Sequence, residues 1–537
     1  MTQRKVAILI TSSSPSRSSR CFCSAVHDAV GFLVSAENPQ SEAMSRPKRK
    51  VVWVVKGTCA TASTYCKCKD NGKTRIRWST QPFIEGTSMR AGDLAVSAAM
   101  VVAPVDHTSI EHFAQAMKLP MVSRSAFHRN KSYYINPVVK EVYAEQKSSV
   151  FERVIDDPPQ PVEIAIDGQY DSVGYSAELE IESVLHVPTK LILTFATSHK
   201  SEVDGISNRM ELHGAKKVLN EISRVTEISS VTTDKHPSVV KHLREIGFTH
   251  CFDLWHLLHR LGKAIRTTTK KLPGKDDRQL LRDLKRRLFT HVWKALDLAN
   301  GDSVHFKELI FSFFPHVVGV HEWEAGTKFS ELFEIAPTTT IGRGFRMFRF
   351  TTVTDCPHDV LDENAADPLE ADDLALQQLL GLVSKTTFLN DIIKVKGKCA
   401  TSALEAYHSV RLRYAPKRKF FTKKGAKIKS MLAILHWNTI QMAELDGNRR
   451  VMIQYQSYSK PRGEHRIITR KSTVEHPWKR IIVTRAMEQK RRYGPGVPIF
   501  ADEDGEEMDI DVSIEDLFAD SDTEVSSESE SPSLLDD

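Results

Sequence analysis

TEISSVTTDKHPSVVKHLREIGFTHCFDLWH, residues 226–256, is the stretch whose reading decides the fold. Ile228 to Thr233 is a short β-prone run that ends in an acid, Asp234. Pro237 follows where a helix can begin, and SVVKHLREIG carries Val239, Val240 and Leu243 at helical spacing before Gly247 closes it. A second run, Phe248 to Phe252, ends in Asp253, with His256 three residues on. The pattern predicts a β-α-β unit with carboxylates at its strand ends. That is a common way to build an active site on an open α/β sheet. It is also an ordinary way to end a strand, since Asp closes turns and caps helices.

Upstream, DDPPQP (156–161) reads as a linker, and VEIAIDGQYDS as a strand with Asp167 near its end. Tyr175 to Leu185 and Lys190 to Thr197 supply two more strand-like runs, joined by turns. Asn208-x-x-Glu211 has the spacing of a capping box, and Met210, Val218, Leu219 and Ile222 give the helix behind it an apolar face. The predicted order from 162 to 253 is β-β-β-α-β-α-β.

Composition narrows the class. Eight irregularly spaced cysteines in 537 residues do not form a disulfide framework and fit a reducing intracellular setting. No apolar run is long enough to span a membrane. The net charge of +6 hides an asymmetry. Residues 501–537 carry sixteen acids and no Lys or Arg, so 74 basic residues face 52 acidic ones over the rest, a balance of about +22. A basic body favours a polyanionic partner such as DNA, and a merely soluble basic surface is the bland alternative.

The regions divide as follows. Residues 1–73 are Ser-rich and weakly ordered, with the basic cluster Arg46–Lys50 and a strand at Val51–Val55. Residues 74–155 read as a separate helical module. Within it Arg124, Arg129 and Lys131 lie among Phe127, Tyr133 and Tyr134, as in a DNA-reading helical unit or in a small bundle that binds nothing. Residues 156–256 carry the α/β pattern, and 257–400 are rich in helical patterns. The closing helices fall in 401–446, followed by a basic stretch at 447–500 and an acidic tail at 501–537 expected to be disordered. Lys417, Arg418 and Lys419 open a basic segment suited to phosphate contacts. His316, His321, Cys356 and His358 are four N/S groups of the kind that hold a structural zinc. Their spacing is not that of a finger, and five residues is not a same-face interval on a helix.

Seven phrases in one order resemble the DDE-type transposase-derived proteins related to Mutator-like elements. They are WSTQP (78–82), AGDLAVSAAM (91–100), DGQYDSVGYSA (167–177), NRMELHG (208–214), TTDKHPSVVKHL (232–243), HCFDLWH (250–256) and ALEAYHSVRLRYAPKR (403–418). The resemblance implies a mixed α/β fold: a ribonuclease-H-like core with a long helical insertion. It implies that Asp167, Asp234 and Glu405 are the catalytic acids, with Asp171 the rival for the first place, and that Asp253 and His256 form the family's signature. Such acids hold two divalent cations, Mg²⁺ or Mn²⁺, for metal-dependent phosphodiester cleavage and strand transfer. A nuclear protein that binds DNA, as a homo-oligomer on it, is the implied setting. The alternative is a domesticated, catalytically inactive DNA-binding or chromatin scaffold. Two local readings compete with the catalytic one: Glu405 lies three residues after Ser402, the spacing of a capping box, and Asp167 before Gly168 can simply open a turn.

Overall fold

The computed structural model describes residues 52–66, 74–155, 160–172, 176–356, 367–395, 401–417, 419–459 and 464–495. Arg46–Lys50, His358, Arg418 and the acidic tail lie outside them. The described chain opens with an antiparallel sheet of β1 (Val52–Lys56), β2 (Cys59–Cys66) and β3 (Thr74–Ser79). Four helices follow: α1 (Ala91–Val102), α2 (His107–Ala116), α3 (Arg124–Asn130) and α4 (Asn136–Val154). Asp106 and Ser123 cap α2 and α3 by accepting backbone N–H bonds.

The central sheet holds β4 (Val162–Tyr170), β5 (Leu179–His186), β6 (Ile192–His199), β7 (Ile228–Thr233) and β8 (His250–Phe252), in the order β6-β5-β4-β7-β8. The first three strands are antiparallel neighbours. β7 and β8 then add in parallel on the other side of β4. Helices α5 (Met210–Ser223) and α6 (Pro237–Glu245) connect them. The element order is the one predicted from the sequence.

Period-two alternation divides the strands between two cores. Val162, Ile164 and Ile166 pack with Val218, Leu219, Ile222, Val239 and Leu243 of α5 and α6. Ala165, Leu185 and Ile192 belong to the opposite core, built with α4 and three later helices. The same alternation sends Asp167 toward that second layer and Gly168 toward α5.

After β8 the chain leaves the sheet through α7 (Leu254–Lys271), α8 (Lys275–Ala299), α9 (Ser303–Phe311), α10 (Phe313–Val317), α11 (Phe329–Leu332), α12 (Leu374–Val383) and α13 (Thr386–Ile392). These surround a core of their own, dense in phenylalanine: Phe306, Phe311, Phe314, Phe329, Phe345 and Phe350. The insertion returns where it left. The Phe252 N–H donates to the Lys394 carbonyl at 3.2 Å, and Lys235 pairs with Asp391 at 2.6 Å. The second layer is completed by α14 (Ser402–Tyr414) and α15 (Lys423–Leu445). A hairpin of β9 (Val451–Ser459) and β10 (Glu464–Lys471) and a last helix, α16 (Pro477–Tyr493), follow.

Two boundaries differ from the sequence reading. Residues 52–66, placed in a weakly ordered N-terminus, form two strands. The stretch 74–155 is no separate module, because Leu94, Tyr134, Val139 and Tyr143 share one core with Tyr407, Leu432, Trp478 and Ile482. Helical periodicity reports that a face is apolar but not which distant element covers it. No described helix is long and apolar enough to cross a membrane.

Asn438 fastens α15 to the sheet. Its amide accepts the Ile192 N–H at 2.8 Å and donates to the Ile192 carbonyl at 2.9 Å, with the side chain buried. Asn438→Ala leaves both peptide groups without partners, at a cost of about 1–3 kcal/mol each. Denaturant unfolding should show a loss of about 2–4 kcal/mol. A loss below about 0.5 kcal/mol would mean that the edge of β6 needs no such fastening.

Candidate active site

Three acids from distant segments stand around one imidazole. Asp234 follows the last residue of β7, and His256 lies in the first turn of α7. Their Oδ1 and Nε2 atoms are 2.9 Å apart. The same Nε2 is 3.8 Å from Glu405 Oε1, in the first turn of α14. Burial alone would lower the His256 pKa, but the Asp234 carboxylate overrides it and holds the imidazole above its ordinary value. The His256 imidazole thus stands between the two carboxylates with its proton affinity raised by Asp234. Asp167, toward the end of β4, is pushed up to about 8 by burial and then by the charge of Asp234, with Glu211 and Glu405 adding to it.

Helix α14 is aimed at β4 by a ladder of side chains three residues apart. Glu405 faces His256, and His408 Nδ1 lies 3.5 Å from Asp167 Oδ2. Below them the buried Arg411 donates to Gln169 at 2.6 Å and to Ser430 at 3.1 Å. Burial, with Arg411 beside it, drives His408 down to about 3, so it meets Asp167 as a neutral ring. The Ser402–Glu405 capping box is not formed: Thr401 is the N-cap residue, with no side-chain cap bond.

Asp253 organises both approaches. Its Oδ1 accepts the N–H groups of Trp255 at 2.7 Å and His256 at 3.3 Å, which starts α7. Its Oδ2 accepts from the backbone N–H and hydroxyl of Thr401, at the start of α14. One buried carboxylate therefore sets the helix that carries His256 and the helix that carries Glu405. Asp171 is occupied elsewhere, accepting the N–H groups of Glu178 and Leu179 at 3.3 and 3.2 Å to close the β4–β5 connection.

Sequence reasoning missed four groups. Glu211 does not cap its helix: α5 begins at Met210 without a side-chain cap. Instead Glu211 lies 3.4 Å from the Tyr170 hydroxyl and is raised to about 7 by burial and then by Asp234. Glu180 and Glu182 on β5 are buried without an ion pair among the described residues, and burial holds both carboxyls well above the usual range. Gly168 makes room for them, since a Cβ there would lie 2.8 Å from Glu180 Oε1 and 2.9 Å from Glu182 Oε2. His408 carried a signal, the Glu405-x-x-His408 spacing that puts both on one helix face. The glutamates of β5 carried none, because alternating acids on a strand read as its solvent face.

The basic candidates fall in two groups. Arg124 and Lys419, far apart in sequence, line one cleft of about 120 Å³ with Lys429, Tyr414 and Phe420. Lys131 lies in the same cleft but is only 6% exposed, so it is not an open phosphate contact. Arg129 and Lys417 are exposed. In the insertion, His316, His321 and Cys356 come together, with one ligand atom of each within 4.8 Å of the others. Among the described residues no other group of three His, Cys, Asp or Glu side chains is so close, so the acids around His256 are spread more widely.

Residues 40–323, a little over half of the chain, match the family model of the Mutator-like transposase. No curated protein and no solved structure matches the chain.

The raised carboxylates make stability depend on pH. A carboxyl whose folded pKa lies above its unfolded value keeps a proton that the unfolded chain has released. The folded state then binds more protons between about pH 4 and pH 8, and stability falls as pH rises through that window. In chelator, the melting temperature should fall from about pH 5 to about pH 8, and Glu182→Gln should fall less steeply. Parallel pH profiles for the two proteins would show that Glu182 is not among the groups responsible.

Proposed function

This chain belongs to the Mutator-like transposase family, and from that premise we propose that it cuts and joins DNA at a site built on Asp167, Asp234 and Glu405. The observation that carries the reading is the meeting of β4, the end of β7 and the first turn of α14 around His256. No local propensity requires those three segments to meet. The sheet order supports a ribonuclease-H-like core, with Asp167 toward the end of β4 and Asp234 just after β7, where open α/β sheets place their sites.

The family implies use of divalent metal, and the residues fit one. The donors are hard carboxylate oxygens, and the acids raise one another's proton affinity, so positive charge is favoured among them. Asp167, Asp234 and Glu405 would hold two Mg²⁺ or Mn²⁺ ions. Such ions supply activation of water or a 3′-hydroxyl and stabilisation of the leaving oxygen. His256, between Asp234 and Glu405 with its proton affinity raised, orients both carboxylates that would hold the cations. His408 keeps Asp167 oriented without adding charge. Asp253 is a positioning residue, since both its oxygens are spent on α7 and α14.

DNA is the substrate and partner of this reading, and its place of action is the nucleus. The cleft that joins Arg124, Lys419 and Lys429 suits a phosphate backbone, and its aromatic rims suit a splayed base. Assembly as a homo-oligomer on paired DNA ends completes the proposal.

Asp167, pushed up to about 8, holds a proton that competes with a cation, so Mn²⁺ affinity should rise from about pH 6 to about pH 8. Titration calorimetry giving a flat or inverted profile would remove these acids as the binding site. In Mg²⁺ or Mn²⁺, the protein should nick DNA carrying the element's own ends, and Asp234→Asn should lose about 1,000-fold or more. Equal nicking by both would expose a contaminating nuclease. Absent nicking with intact DNA binding would favour the inactive scaffold. Lys419→Ala should weaken binding evenly across sequences and lower the salt slope by about one. An unchanged slope would take the cleft out of the DNA path.

A further inference from the structure

The insertion carries a second constellation, on elements separate from the acids. Helix α10 ends at Val317, and Gly319, at φ +86°, turns the chain back. The Val320 N–H then donates to the Pro315 carbonyl at 2.9 Å. This reversal returns His321 to His316, with ring centroids 5.0 Å apart, although five residues along a continuous helix would separate them. Glu322 and Asp355 form an antiparallel bridge, and the Cys356 N–H donates to the His321 carbonyl at 3.0 Å. Backbone pairing thus delivers the thiol to the two rings.

The three side chains meet through their ligating atoms. His316 Nδ1 lies 3.4 Å from His321 Nδ1, and His321 Nδ1 lies 3.0 Å from Cys356 Sγ. Two atoms bound tetrahedrally to zinc, with bonds of about 2.0–2.3 Å, stand about 3.3–3.6 Å apart. Two imidazole Nδ1 atoms that face each other can share only one proton, and the same His321 nitrogen also faces the thiol. A cation satisfies all three lone pairs at once. Neutral imidazole and thiolate are the ligands that suit zinc, and Glu322 and Asp355 beside them add negative charge.

We propose that His316, His321 and Cys356 form a zinc site that clasps the turn after α10 to the segment ending at Cys356. Both partners border the phenylalanine core of the insertion: Phe313, Phe314 and Val317 on one side, Phe350 and Val353 on the other. The clasp is structural. It reinforces two segments that already pair through backbone hydrogen bonds, the Trp323 N–H to the Thr354 carbonyl at 2.8 Å and the Gly326 N–H to the Phe350 carbonyl at 2.7 Å.

The test uses the full chain. Protein purified from zinc-supplemented medium should carry about one zinc per chain by elemental analysis, and Cys356→Ser should lower it severalfold. Cobalt substitution should give a thiolate-to-metal charge-transfer band that Cys356→Ser removes and Asp234→Asn keeps. A strong chelator should lower the melting temperature of the wild type and leave Cys356→Ser unchanged. Should Cys356→Ser fail to fold, the wild-type cobalt spectrum decides alone. Zinc-free wild type, or cobalt bound without a thiolate band, would overturn the site. Metal lost in Asp234→Asn but kept in Cys356→Ser would assign it to the acids instead.

Discussion

The whole arrangement depends on one buried carboxylate. Asp253 holds the N-terminus of α7 with one oxygen and Thr401 with the other, across 148 residues of chain. Closing a flexible loop of that length costs about 4 kcal/mol in entropy, and doubling it would add only about 0.6 kcal/mol. The phenylalanine-rich core gives the insertion an independent source of stability, so its length strains the sheet little. The delicate requirement is local: both ends of the insertion must arrive at β8 in the right orientation. Asp253 meets it by capping one helix and receiving the other.

Around that anchor the protein gathers like charges. Asp167, Glu180, Glu182, Glu211 and Glu405 all have their proton affinity raised, chiefly by burial. Carboxylates buried near one another without cationic partners oppose folding. A structure selected for stability alone would replace several of them with apolar groups. Asp167 on β4, Glu180 and Glu182 on β5 and Glu211 in the first turn of α5, set in a packed layer, are the pattern expected where ligand binding recovers the cost. His256 stands between Asp234 and Glu405, and the neutral His408 orients Asp167 without adding charge.

Much of the framework was legible in the sequence because it rests on short-range signals. The β-prone runs, Pro237 at a helix start and Gly247 beyond its end mark β7, α6 and β8 directly. The choice between Asp167 and Asp171 was not legible. Both lie on one strand pattern, and only the connection to β5 shows that Asp171 is taken up by backbone N–H groups. Glu211 was misread for the same reason: Asn208-x-x-Glu211 satisfies a local rule, while the charge of Asp234, which gives that glutamate its surroundings, comes from another strand. Lysines usually lie at the surface, yet Lys131, between α3 and α4, is buried. His316 and His321 would diverge on a continuous helix, and the turn at Gly319 makes the spacing irrelevant.

Both outer strands of the central sheet have polar groups already engaged. Asn438 takes up the peptide of Ile192 at one end of β6, and the Lys394 carbonyl takes the N–H of Phe252 on β8. Open strand edges are templates on which another chain can add and grow toward aggregates. Here that route is obstructed at both margins, so copies of this protein are steered away from sheet extension when crowded together. The exposed apolar residues of β1, Val52 to Val55, and of the β9–β10 hairpin, Met452 and Ile467, lie outside that sheet.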